Sequence, residues 1–292
     1  MSELPADARI GQALASMTRI SRWSAIRRIA QQEIRDTMVG WTVYLTAAAG
    51  LLVSALLIYN SLQAVAGSGL GVLPRPFLGP TSAAAGLAIV FVTVGATLAI
   101  ARPREQGALR VLFFAPVDAI ALLGAQFMAG IGVYGIVVVT LIPLFAVMAF
   151  MTNLILPPML LWGLALSVLA AGVAVAFGLF LSAIAASSRG AVLLLLATAA
   201  VLLAVQGGHS ALLSVPPTGR DYDALLFLRE LLRFANDLLL WVSPIGMLER
   251  SLDAALRADL QTMAAVVGTA LVSAALWLSL ALLAVRRRGV LP

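Results

Sequence analysis

The sequence predicts an all-α integral membrane protein with six transmembrane helices, an N-terminal interfacial amphipathic helix and outer amphipathic helices before the last span. Three observations carry this. The 292 residues are 62% hydrophobic and 11% charged, less than half the roughly 25% charge of a soluble domain. Mean hydropathy is +1.03. The charges lie in clusters between apolar runs that exceed the roughly 20 residues a crossing needs. We divide the chain into residues 1–36, a cytoplasmic tail and interfacial helix, and residues 37–292, a single membrane domain.

Residues 1–18 are polar and Ala-rich and read as a loose tail. From Arg19, Ile20, Trp23, Ile26, Ala30 and Ile34 recur at helical spacing, while Arg22, Arg27, Gln31, Glu33 and Arg35 fall largely off that stripe. This is the pattern of a helix lying in a membrane interface, or of a surface helix packed on a core. The first apolar run is too long for a signal peptide and reads as a retained span.

Span one is expected at 37–59. There Thr46, Gly50 and Ser54 form a small-residue face suited to close packing. A Gly/Pro-rich loop leads to span two at 81–101. A charged island follows at 102–118, and after Asp118 no charge appears until Arg189. That run fits two spans, at 127–150 and 159–186, broken by Met151-Thr-Asn-Leu-Ile-Leu-Pro-Pro158, with Pro143 as an expected kink. Ala170, Ala174, Gly178, Ser182 and Ala186 stand at strict four-residue spacing in span four, a packing face expected to meet another helix of the same chain.

Ser187-Ser-Arg-Gly190 reads as a turn and 190–206 as a barely sufficient span five. The outer segment 207–259 is broken by Pro216-Pro217. It holds one amphipathic helix with Leu225, Leu228, Leu232 and Leu239 on one stripe and Arg229, Arg233 and Asp237 on another, then a shorter one near Met247–Leu256. Arg229, Arg233 and Asp237 are expected to form a solvated face. Span six at 260–285 ends in Arg286-Arg-Arg288.

Thirteen of the nineteen arginines and six of the thirteen acids fall on the N-terminus, 102–118, Arg189 and the C-terminus. Positive charge favours the cytoplasmic side, so we expect a multi-pass protein of the cell inner (cytoplasmic) membrane with both termini inside. The basic pI of 10.9 then reflects topology and membrane lipids, not nucleic acid.

Several chemistries are disfavoured. Without cysteine there is no thiolate metal site, and the single His209 builds no histidine cluster and reads as a surface loop residue. The expected spans hold no Asp, Glu or His, which argues against an ion-coupled carrier, with carbonyl-lined sodium sites left open. No Ser/His/Asp set, HExxH or carboxylate pair stands at membrane depth, so no catalytic or metal residues are expected. All nineteen basic residues are arginine, and a P-loop needs a lysine to reach nucleotide phosphates. The chain therefore lacks an ATPase of that type, and energy for transport would come from a separate nucleotide-binding subunit. Two cytoplasmic handles are on offer, the helix 19–36 and the island 102–118.

The island reads Arg104-Glu-Gln-Gly107-Ala-Leu109-Arg-Val-Leu112-Phe-Phe-Ala-Pro116-Val117. It resembles the segment joining spans two and three in the ATP-binding-cassette (ABC) type-2 exporter permeases, which runs Arg-Glu-x-Gly-Ser/Thr-Leu-Glu/Asp-x-Leu-Leu-x-x-Pro-Val/Ile. Ile29-Ala-Gln-Gln-Glu33-Ile-Arg-Asp36 is similar to that family's start, and the six-span layout agrees. The chain departs where the family's acid is Arg110 and its basic residue Gln126. The resemblance implies a permease subunit that pairs with a second permease subunit and is driven by a partner ATPase, which binds the ATP and Mg. The chain itself would carry no cofactor. The island would be the coupling helix, with Arg102, Arg104, Glu105, Gly107, Leu109, Arg110 and Pro116, together with Glu33, as coupling residues. From the residues alone, Glu105 is also readable as a surface acid paired with Arg102 or Arg104, and Gly107 as a simple turn. The alternative function is a non-transporting membrane scaffold or assembly factor that keeps this fold and binds a partner protein.

Overall fold

A computed structural model describes residues 22–68, 75–107, 119–213 and 222–287, all as helices and short connections with no strand among them. The helices are α1 (Arg22–Val39), α2 (Trp41–Ser68), α3 (Leu78–Leu98), α4 (Ala101–Glu105), α5 (Ala119–Thr152), α6 (Met159–Ile184), α7 (Ser188–Leu213), α8 (Tyr222–Val242), α9 (Pro244–Arg257) and α10 (Leu260–Arg287). Six are long and apolar enough to cross a membrane: α2, α3 with α4, α5, α6, α7 and α10. A seventh appears if α8 and α9, bent by 80°, are taken as one broken crossing. The chain is a multi-pass, all-α membrane protein.

The core is built on α6. Of its most apolar window 67% is buried, against 6% for α7. Its small residues let neighbours come close: a Cβ on Gly178 would lie 2.7 Å from the Thr93 carbonyl of α3, and one on Gly163 would lie 2.9 Å from Leu252 of α9. Ala170, Ala174, Gly178 and Ser182 are all buried within the chain, as expected. Ala186 is exposed, beyond the helix end. On the α5 side, the buried Tyr134 hydroxyl donates to Ser167 Oγ at 2.8 Å, and Ser167 donates to the Leu164 carbonyl at 2.6 Å, so this polar pair leaves no hydroxyl unsatisfied in an apolar interior.

The small face of α2 meets α3. Gly50 packs on Ala84, and the buried Ser54 hydroxyl shares its proton between the Gly50 and Pro80 carbonyls at 2.7 and 2.8 Å.

Helix α1 packs Ile26, Ala30 and Ile34 of its apolar stripe on protein, while Trp23 of the same stripe is exposed. Ile26 packs at Gly124 and Ile34 at Gly132, with Ala30 beside Ala125 and Ala129 between them. Equal eight-residue steps on both helices mean that α1 runs parallel to α5. Arg27, Arg28, Gln31, Gln32, Arg35 and Asp36 are exposed on the other side. Ile20 and residues 1–18 lie outside the described residues.

Several expected boundaries are corrected. Helix α1 continues to Val39 and breaks at Gly40, so the first span starts at Trp41, not Thr37. Helix α5 begins at Ala119, eight residues early, and its 34 residues extend about 51 Å, well beyond a bilayer core of about 30 Å. Pro143 lies inside α5 without ending it. The helix ends with Asn153 left-handed (φ 53°), where the Leu154 N–H returns to the Ala149 carbonyl at 3.0 Å, a stop that asparagine tolerates. Helix α7 runs on to Leu213, through Gly207 and Gly208, because glycine is far less disruptive in apolar spans than in water. His209 is therefore on a spanning helix and not in a loop. It is half-buried, and Nδ1 has no hydrogen-bond partner. Helix α7 thus carries one ionisable side chain past the end of the expected span 190–206, four residues from the helix end.

At the end where α2 finishes and α3 begins, α9 lies over the bundle with Met247, Leu248, Ser251, Leu252 and Ala255 buried. Its polar side carries Asp253, paired with Arg75 at 2.5 Å and Arg257 at 2.8 Å. Arg250 stacks on the Trp241 ring at 3.9 Å, across the bend from α8. On α8, Arg233 and Glu230 form an exposed 4.0 Å pair. Pro216 and Pro217, and the Leu225 side chain, lie outside the described residues. Asp259 caps α10, accepting from the Gln261 and Thr262 N–H groups at 3.1 Å and from the Thr262 hydroxyl at 2.6 Å. The Thr262 hydroxyl, then its N–H, hold this carboxyl below the usual range.

Two predictions follow from this packing. Gly178→Leu should lower stability by about 2–3 kcal/mol through overpacking, whereas Gly268→Ala on α10, where nothing lies within 4 Å of a Cβ, should be neutral or stabilising by up to about 1 kcal/mol. Thermal unfolding in detergent reads both. A depressed folded-state pKa means that the Asp259 cap stabilises fully above the unfolded carboxyl range and is lost as pH falls through the folded value. The gap in melting temperature between the wild type and Asp259→Ala should accordingly close on acidification below about pH 4; a gap independent of pH would refute the cap.

Candidate functional site: the fastening of α4 to the α6–α7 turn

The described start of the charged island, Arg102 to Gly107, is a short helix with a left-handed stop. Helix α4 ends at Glu105, Gln106 follows, and Gly107 takes φ +72° with its N–H on the Arg104 carbonyl at 3.1 Å. Glycine reaches that conformation without the strain a Cβ would add. Nothing lies within 4 Å of where its Cβ would be. The simple-turn reading of Gly107 is therefore the one its backbone supports.

Three side chains tie α4 to the turn between α6 and α7. The fully buried Ser182 Oγ accepts from the Ile100 and Ala101 N–H groups at 3.0 and 2.9 Å. These are the donors that the break between α3 and α4 would otherwise leave unpaired. Arg104 Nη1 donates to the Ala185 carbonyl at 2.8 Å and the Ala183 carbonyl at 3.4 Å, the carbonyl end of α6 where a cation is favoured. The Glu105 carboxylate accepts from the Ser188 N–H at 3.2 Å and from the Ser188 hydroxyl.

Ser188 opens α7, so an acid sits at that helix's positive end. Ser187 Oγ accepts from the Gly190 N–H at 3.1 Å and completes the cap. Ala101, Ala185 and Ala191 pack beneath as a small dry cluster.

Arg104 and Glu105 thus grip opposite helix ends, the last turn of α6 and the first of α7. Glu105 is engaged by Ser188 and not by the arginine pairing considered from sequence. Arg102 is exposed. Glu33 lies elsewhere, on α1, where it lines a cleft with Gln126 and Gly95. Leu109, Arg110 and Pro116 lie outside the described residues. The sequence reading placed Ser182 on a packing face and Ser187 and Ser188 in a turn, and missed their hydrogen bonds to α4 and to the start of α7. Ser187-Ser188 just before an apolar run is a helix-start signal that could have found the cap. Among the described residues no group of three or more His, Cys, Asp or Glu could hold a metal.

A scan against protein-family models finds no match to this chain, and a search of curated proteins finds none.

The fastening predicts that Ser182→Ala, which strands two buried backbone donors, should destabilise the protein by about 2 kcal/mol. Ser210→Ala, at an exposed hydroxyl on α7, should fall within about 0.5 kcal/mol of wild type. Thermal unfolding in detergent checks the pair, and equal melting temperatures for the two variants would refute the role of Ser182.

Proposed function

We propose that this chain is the membrane permease subunit of an ABC transporter, an exporter that pairs with a second permease subunit and is driven by a separate ATPase through residues 102–118. On this reading the chain sits in the cell inner membrane with both termini and the island on the cytoplasmic side, and the partner binds ATP and Mg. The observation that carries the reading is the double grip of Arg104 and Glu105 on the α6–α7 turn. A push on the island has a direct mechanical route into α6, the most buried helix, and into α7, the least buried. The island motif and the absence of lysine supply the rest of the support. Arg102, Leu109, Arg110 and Pro116 would present the surface the motor meets. Arg104, Glu105 and Gly107 would hold its shape, and Glu33 would join α1 to the same movement.

One observation favours the alternative of a non-transporting membrane scaffold that binds a partner protein. Glu105 is taken up within the chain and offers less to a motor.

The test is purification of the chain from its native membrane with whatever ATPase accompanies it, followed by reconstitution in vesicles. The ATPase should co-purify. Glu105→Gln and Ser188→Ala should each lower its stimulated hydrolysis about tenfold, the loss of one charge-assisted tie, with the complex still assembled. Transport at full rate by the chain alone would overturn the proposal. A co-purified partner without nucleotide hydrolysis would establish the scaffold instead.

A further inference from the structure

The cleft beside α1 brings Glu33, named above as a coupling residue, together with Gln126 and Thr37, which the coupling role does not use. Helices α1, α3 and α5 enclose a cavity of about 80 Å³ lined by Glu33 and Thr37 of α1, Phe91 and Gly95 of α3, and Gln126 and Val133 of α5. About 10–15 Å³ suffices for one water, so the space holds a small polar head with a few carbons. Among the described residues neither the Glu33 carboxylate nor the Gln126 carboxamide has a hydrogen-bonding partner. Thr37 donates to the Glu33 carbonyl at 2.7 Å, and its oxygen keeps acceptor capacity. Nothing lies within 4 Å of a Cβ on Gly95, so that wall is open.

Two unpaired polar groups from different helices, converging on a cleft with otherwise apolar walls, call for a ligand of one charge and mixed polarity. A carboxylate with two neutral acceptors selects a cation. A hard metal ion would want six or more oxygens, and the cleft offers few. An organic ammonium needs one counter-charge, and Phe91 among the lining residues gives its carbons an apolar wall. We propose that this cleft binds the ammonium head of an amphiphile, with Glu33 as counter-ion, Gln126 and Thr37 as acceptors, and the tail leaving along the open side of Gly95. The source is either the amine headgroup of a membrane lipid or a free long-chain amine. The site stands on the geometry of the cleft and needs no ATPase, so it and the transporter reading can fail separately.

The test is equilibrium binding of radiolabelled decylammonium, whose head carries three N–H donors, to the purified full chain in dodecyl maltoside micelles, with protein-free micelles as background. Saturable binding is expected, undisturbed by decanol or decyl sulfate. Glu33→Gln should weaken it about tenfold or more, and Gly95→Leu, which fills the cleft without a backbone clash, should do the same. Displacement by phosphatidylethanolamine but not by phosphatidylglycerol identifies a lipid headgroup as the occupant; displacement by neither identifies a free amine. Competition by decyl sulfate as strong as by the unlabelled cation overturns the proposal, as does wild-type affinity in either variant.

Discussion

The packing of α6 depends on residues that are nearly absent as side chains. In a membrane, apolar surface gains little by leaving lipid for another helix, so association rests on close contact and on hydrogen bonds. Gly178 provides the first, letting the Thr93 carbonyl and Ala96 of α3 approach its backbone. Ser182, one turn on, provides the second by accepting from both N–H groups at the break between α3 and α4. A larger residue at 178 would part the helices and lift Ser182 away from its donors. The same helix receives Leu252 of α9 at Gly163 and Tyr134 of α5 at Ser167. Four neighbours are thereby set by small or hydroxylated positions on one helix.

Opposite ends of the bundle use charge differently. Where α9 lies, Arg75, Asp253 and Arg257 form a partly exposed chain of pairs, which contributes little stability but joins the segment before α3 to the cap over α6. Around α4, Arg104 and Glu105 are spent on helix termini and not on each other's charge. Such contacts are directional, and they fix the position of α4 against two helices simultaneously.

The six long apolar helices and their order were legible in the sequence, because clusters of charge cannot enter lipid and the apolar runs between them match the bilayer; the bent α8–α9 pair, a seventh crossing if taken as one, was not legible as such. Helix ends were not legible to the same degree. Ala119–Gln126 is as apolar as the span it precedes, so nothing in composition marks where α5 leaves the membrane. Span five was expected to stop at Gln206, and the helix instead continues through Gly207 and Gly208 to Leu213, which puts His209 on a helix and not in a loop. The cleft at Glu33 was hidden for another reason: it needs α1 lying along α5, and that contact rests on the eight-residue spacing of Gly124 and Gly132, which matches Ile26 and Ile34. Likewise the partner of Glu105 is 83 residues away, beyond the reach of any local pattern.

Helix α7 is bare along most of its length, yet it is pinned at its start by the Ser187 cap and by Glu105. That makes it a lever. Its 26 residues span about 39 Å. A tilt of roughly 5° about the pinned turn sweeps its far end by about 3 Å, the order of a water molecule's diameter, and carries with it the α8 contact at Gly208 and Leu232.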